Sequence, residues 1–141
     1  MLTAAATGYQ AAIERWPRHP VGHLGLANAQ FAGEDHAAAE ATLRALLDAQ
    51  PQRHEAWNNL AHVLAARQCG AEARRAAACA TALAPESDLY ARSTRSVTEA
   101  ANAGVDCRQL PACPVDGQRM AGDGIAVDFG NEVAATLTIR R

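Results

Sequence analysis

Lysine is absent from this chain, and aromatic residues make up only 4% of it. All 13 basic residues are arginine, which reads as coding bias, because a net charge of -2 and a pI near 6.2 provide no overall basic field. Nucleic acid and acidic membrane surfaces are therefore not expected partners. No stretch approaches the roughly 18 apolar residues of a membrane span, so no membrane insertion is expected. Residues Met1 to Ala6 show neither a basic nor a long apolar segment of the kind an export signal carries, which makes the cytoplasm the expected compartment. A nucleophile, a base and an orienting group are also missing as a set. Ser87 reads as a helix cap, Ser93 and Ser96 as polar groove residues, Cys69 as a turn residue and Cys79 as a helix residue. No catalytic residue, no cofactor and no enzyme activity are expected.

Alanine fills the space, at about a quarter of the 141 residues, and it is the residue that costs least to place in a helix. The expectation is one compact domain with a thin helical core, followed by an extension. Pro17, Pro51 and Pro85 stand 34 residues apart, and the same step relates Ala5, Ala39 and Ala73, and Ala12, Leu46 and Ala80. A period of 34 is that of stacked helix pairs, in which small residues sit at close crossings and a proline ends each unit. The predicted helices cover 3–16, 20–32, 36–49, 54–67, 71–83 and 88–103. Thr3 and Ser87 are predicted caps, Pro20 takes the favoured first helical position, and Gly104 is the predicted stop of the last helix. Arg92, Ser93, Arg95, Ser96, Glu99 and Asn102 make that helix polar, as the end of an array requires. The first helix lacks its own partner, so the array reads as cut at its N-terminal edge.

Residues 1–104 are thus expected to form the repeat domain, and residues 105–141 a linker with a hairpin tail. The linker is read from Pro111, Pro114 and three glycines. The hairpin is read from the alternation Ile125, Val127, Phe129, Val133, Ala135, Leu137, Ile139 around a loop at Gly130 to Glu132.

Cys69 and Cys79 lie at a turn and well into the following helix. A rise of about 1.5 Å per residue separates them by roughly 15 Å, and both are expected to be free. Cys107 and Cys113 flank a proline-containing loop and are close enough in sequence to form a small ring in an oxidising compartment, a pairing the sequence leaves open. His19 and His23 are four apart, but Pro20 puts the first in a loop, and no third ligand follows. No metal site is expected.

These residues resemble the tetratricopeptide repeat family. In the second unit Trp57, Leu60, Ala61, Leu64, Gly70, Ala73, Ala80 and Pro85 fall at the family's signature spacing, with the glycine two residues late at the inter-helix turn. In the first unit Leu26, Ala27, Ala39, Leu43, Leu46 and Pro51 match, while His23 and Gln30 replace aromatic residues. The resemblance implies an all-α, right-handed solenoid of about six helices that binds a protein or peptide in a concave groove. It also implies that the first helix of each unit lines that groove. Leu24, Asn28, Phe31, Asn58, Asn59, His62, Arg92 and Ser96 are accordingly the candidate partner-binding residues. Asn28 and Asn59 match two asparagines of the carboxylate-clamp subclass, and a primary amide can both donate to a carbonyl and accept from an N–H. The clamp's cations are not matched, since Leu24, Leu89 and Ser93 stand in their places. Helix-to-helix hydrogen bonding by the same asparagines is the alternative. Self-association through the uncovered first helix is a further expected interaction.

A narrower resemblance rests on Tyr9-Gln10-Ala11-Ala12 through Trp16-Pro17, on Gly25 to Ala29, and on Ala56 to Ala61. These phrases are similar to the C-terminal repeat region of bacterial papain-like cysteine peptidases of the bacteriocin-processing type. That likeness implies an accessory, substrate-positioning domain of an exported or periplasmic parent.

Overall fold

The computed structural model describes residues 3–104 and 107–115; the expected hairpin from Ile125 lies outside the described residues. Two compact units divide the chain, Met1–Leu110 and Pro111–Arg141, and all six helices of the described residues belong to the first. They are α1 (Ala4–Arg15), α2 (Pro20–Ala32), α3 (His36–Ala49), α4 (His54–Ala66), α5 (Gly70–Leu83) and α6 (Asp88–Val97). Each helix packs on the next in the chain. In addition α4 touches both α2 and α6, so these three first helices form one row.

Local chemistry sets most of the boundaries. Thr3 Oγ1 accepts from the Ala6 amide, Asp35 Oδ1 from Ala38 and Ser87 Oγ from Tyr90, each satisfying an orphan donor of a first turn. His19 acts in the same way through Nδ1, which accepts from Val21 ahead of Pro20. The two turns within helix pairs are copies of one another. Asp35 N donates to Gln30 O and Cys69 N to Leu64 O, closing α2 and α4 around a residue in the left-handed region. That residue is Glu34 in the first unit (φ 64°) and Gln68 in the second (φ 62°). No glycine occupies either position.

The core follows the repeat. Leu43, Leu46, Leu47, Leu60 and Leu64 are sequestered, and Trp57 joins them with its Nε1 donating 2.8 Å to Pro51 O. Ala39, Ala56, Ala61, Ala73, Ala76, Ala77 and Ala80 are fully buried, as close helix crossings require. Ala5, in the same register on α1, is exposed, because α1 packs only on α2 among the described elements.

The C-terminal end of the array departs from expectation in two ways. First, α6 stops at Val97 rather than near Ala103. The alanines at 100, 101 and 103 favour helix by propensity, but the chain gains more by turning back over the start of α5. Cys69 makes no side-chain cap there. Ala101 O accepts instead from the Gly70 amide, and Asn102 Oδ1 accepts from the Ala71 amide at 2.7 Å. Ala103 and Gly104 both donate to Gln68 O, and Arg74 Nη1 donates to Thr98 O and Ala100 O. The late glycine is explained by this return segment, since a Cβ on Gly70 would lie 2.2 Å from Ala100 O.

Second, Cys69 is not a free thiol. It is disulfide-bonded to Cys107 across a sequence separation of 38, with the two Cα atoms 5.6 Å apart. Cys107 is thus unavailable to Cys113, and Cys79, expected to be free, is not free either. The helical rise used to separate Cys69 from Cys79 says nothing about a segment that folds back on the same turn. Beyond the disulfide, Arg44 donates from Nη2 to Arg108 O and from Nη1 to Gln109 O, both at 3.0 Å. The stretch of chain after Gly104 that composition reads as linker is therefore tied into the first unit as far as Gln109.

Candidate functional site

The row formed by α2, α4 and α6 carries a repeating polar ladder. Asn59 Nδ2 reaches Asn28 Oδ1 at 3.4 Å, joining α4 to α2, and His62 Nε2 meets Ser93 Oγ at 3.1 Å, joining α4 to α6. Both contacts span 31 residues, which is one period less one helical turn. The 34-residue repeat puts Asn28 and His62 in one register, and Asn59 and Ser93 in another. The corresponding place on α2 is Gly25, which does not extend the ladder. Its missing Cβ makes room for the Tyr9 ring, whose nearest atom would otherwise lie 2.2 Å away.

Between α2 and α4 the ladder borders a cavity of about 200 Å³, lined by Ala27, Asn28, Phe31, Leu43, Asn59, His62 and Val63. Its floor is apolar, because Ala27, Leu43 and Val63 are buried core residues. Asn28, Asn59 and His62 form its polar side. Phe31 forms a wall and is held by a tilted contact with the His36 ring, centroid to centroid 4.9 Å. Burial lowers the pKa of His62 below its ordinary value, so the ring is neutral at pH 7. No formal charge then lines the cavity. The volume is on the scale of one amino-acid side chain.

Four of the expected contact residues, Asn28, Phe31, Asn59 and His62, are thus brought together. Leu24 is half-buried one turn before Asn28, and Arg92 and Ser96 are exposed on α6, away from the cavity lining. Asn58 is buried, at 7% exposure; its Nδ2 donates to Asn59 Oδ1 at 3.4 Å, and its Oδ1 lacks a hydrogen-bond partner. It supports the face from behind. At the other end of the row His54 Nδ1 and Tyr90 OH lie 2.6 Å apart, tying α4 to α6. Burial, and then the Glu55 carboxylate, push the Tyr90 hydroxyl above its ordinary pKa.

A buried ionic cluster behind α4 escaped the sequence reading. Glu40, at 3% exposure, accepts from Arg44 Nε at 2.7 Å and from Arg67 Nη1. The signal was there in the i, i+4 spacing of Glu40 and Arg44 inside the apolar stripe of Ala39, Leu43 and Leu47. Among the described residues no group of three or more His, Cys, Asp or Glu side chains is placed to hold a metal ion, and no helix is long and apolar enough to cross a membrane.

Residues 2–63 match the family model described as tetratricopeptide repeat. No curated protein matches the chain.

Proposed function

From the premise that this helical array belongs to the tetratricopeptide repeat family, whose repeats mediate protein–protein interaction, we propose a noncatalytic module that holds a partner segment along the row of α2, α4 and α6. The observation that carries the reading is the cavity between Asn28 and Phe31 on one helix and Asn59 and His62 on the next. An uncharged side chain of the partner fills it, and the amides of Asn28 and Asn59 contact the partner's backbone. Each amide has hydrogen-bonding capacity left beyond the 3.4 Å contact they share and, at Asn59, the one accepted from Asn58. Arg92 and Ser96 extend the contact surface along α6, and Leu24 extends it along α2.

The test starts from a displayed library of random peptides selected on the whole chain. Asn28→Ala with Asn59→Ala should weaken the selected peptides several-fold, since a net hydrogen bond is worth about 0.5 to 1.5 kcal/mol, and should leave the fold cooperative. Unchanged affinity together with a lowered melting temperature would assign both asparagines to helix packing and remove the groove as the binding surface.

A second reading, an accessory domain that positions substrate for a cysteine peptidase polypeptide, is favoured by one observation. The Cys69–Cys107 disulfide suits an exported parent, because structural disulfides persist in oxidising compartments. On either reading we take the working compartment to be an oxidising one.

A further inference from the structure

We propose that residues 98–104 and 107–109 act as a redox-locked clasp: the Cys69–Cys107 disulfide holds this return segment as the cap of α5 and as the cover of the Glu40–Arg44–Arg67 cluster, and reduction releases both. Comparison of the two repeats carries the inference. Asp35, the N-cap of α3, becomes Cys69 at the equivalent position before α5. The second unit has therefore given up its own cap and gained a covalent anchor at the same position. The first-turn amides that lose the cap are taken over by Ala101 O and Asn102 Oδ1, which reach them only while the return segment is in place.

The same segment completes the buried cluster. One carboxylate, that of Glu40, faces two guanidinium groups, and Arg44 also donates once from Nη2 to the carbonyl of Arg108 and once from Nη1 to that of Gln109, directly beyond Cys107. Gly104 allows the close approach, since a Cβ there would lie 2.5 Å from Arg67 O and about 3 Å from both sulfurs. Cap, cover and crosslink thus converge on one turn. When the disulfide opens, the segment is left with hydrogen bonds that water can replace, and Arg44 and Arg74 lose their carbonyl partners.

Opening follows ordinary thiol–disulfide exchange with a dithiol reductant. A thiolate of the reductant attacks Sγ of Cys107, which is less buried than Cys69, and the Cys69 sulfur leaves as a thiolate. The second thiol of the reductant then displaces Cys107. The protein gains two thiols, and the reductant leaves as a cyclic disulfide carrying two fewer electrons.

The four cysteines fall on separate tryptic peptides, so the crosslink can be read directly. Chain produced in an oxidising compartment should yield peptide 68–74 joined to peptide 96–108, and recovery of those two peptides unlinked would overturn the proposal. Hydrogen exchange then tests the clasp. In the oxidised chain the amides of Gly70 and Ala71 should be protected, and dithiothreitol should speed their exchange by at least about tenfold while leaving Leu60 and Leu64 protected. The paired substitution Cys69→Ala with Cys107→Ala should reproduce that pattern without reductant. Asn102→Ala, which keeps the disulfide, should speed exchange at Ala71 and leave the crosslinked peptide intact. Equal protection of Gly70 and Ala71 in oxidised, reduced and doubly substituted chains would show that the disulfide holds nothing in place.

Discussion

Removing the Glu40 carboxylate tests whether the ionic cluster behind α4 organises this fold. In Glu40→Ala the Arg44 guanidinium, in a residue only 8% exposed, keeps its two carbonyl acceptors but loses its counter-charge. Taking one partner from a buried ion pair costs about 3 to 5 kcal/mol, because the surviving charge is left desolvated. The side chain of Arg67 is 24% exposed and can turn to water, so the lower end applies, about 3 kcal/mol. For a unit of this size each kcal/mol moves the melting temperature by about 4 to 8 °C, which predicts a fall of about 12 to 24 °C. Thermal unfolding followed by far-ultraviolet circular dichroism, with a urea titration alongside, measures it. Arg44→Ala combined with Glu40→Ala should cost less than the sum of the two single changes, since neither charge is then left alone. Glu40→Leu with Arg44→Leu should recover much of the loss, because apolar packing replaces a desolvated pair. A Glu40→Ala midpoint within about 2 °C of wild type, or additive single and double variants, would refute the reasoning.

The left-handed residues Glu34 and Gln68 should be improved by glycine: Glu34→Gly and Gln68→Gly are each expected to raise stability by up to about 1 kcal/mol in urea unfolding, and a loss would mean that their side chains matter more than their backbone. Gly70→Ala should do the opposite, lowering the melting temperature through the 2.2 Å approach to Ala100 O, a backbone atom that has to move. Ala73→Leu should cost about 1 to 3 kcal/mol at a position with no exposure, and an unchanged midpoint would displace the repeat register. Burial lowers the pKa values of His23 and His62, so the unfolded chain takes up protons near its ordinary value of 6.5 while the folded chain does not. Stability should therefore fall as pH drops through 6.5 toward the lower folded values and stay level above neutrality. Replacing both with glutamine should flatten that fall, and an unchanged pH profile would place the titration elsewhere.

The helices and their stacking were legible because both periods are local: the apolar stripe marks each helix, and the 34-residue step of Pro17, Pro51 and Pro85 marks each pair. The choice of a first-helix face came from the resemblance to the repeat family and not from spacing, and the fold brings four of the residues so named, Asn28, Phe31, Asn59 and His62, around one cavity. Burial could not be read in the same way. Asn58 lies in the sequence register of the groove face, yet the packing around α4 encloses it. The turn residues were hidden because Glu34 and Gln68 occupy a conformation usually signalled by glycine, while Gly70, which looked like that signal, serves a close approach instead. Propensity ran α6 on through its alanines, whereas the open amides of Gly70 and Ala71 drew the chain back at Val97. The pairing of Cys69 with Cys107 belongs to that same reversal. Residues 38 apart meet only after the chain has turned, and what turns it is a set of unsatisfied donors on another helix, which no periodicity along the chain records.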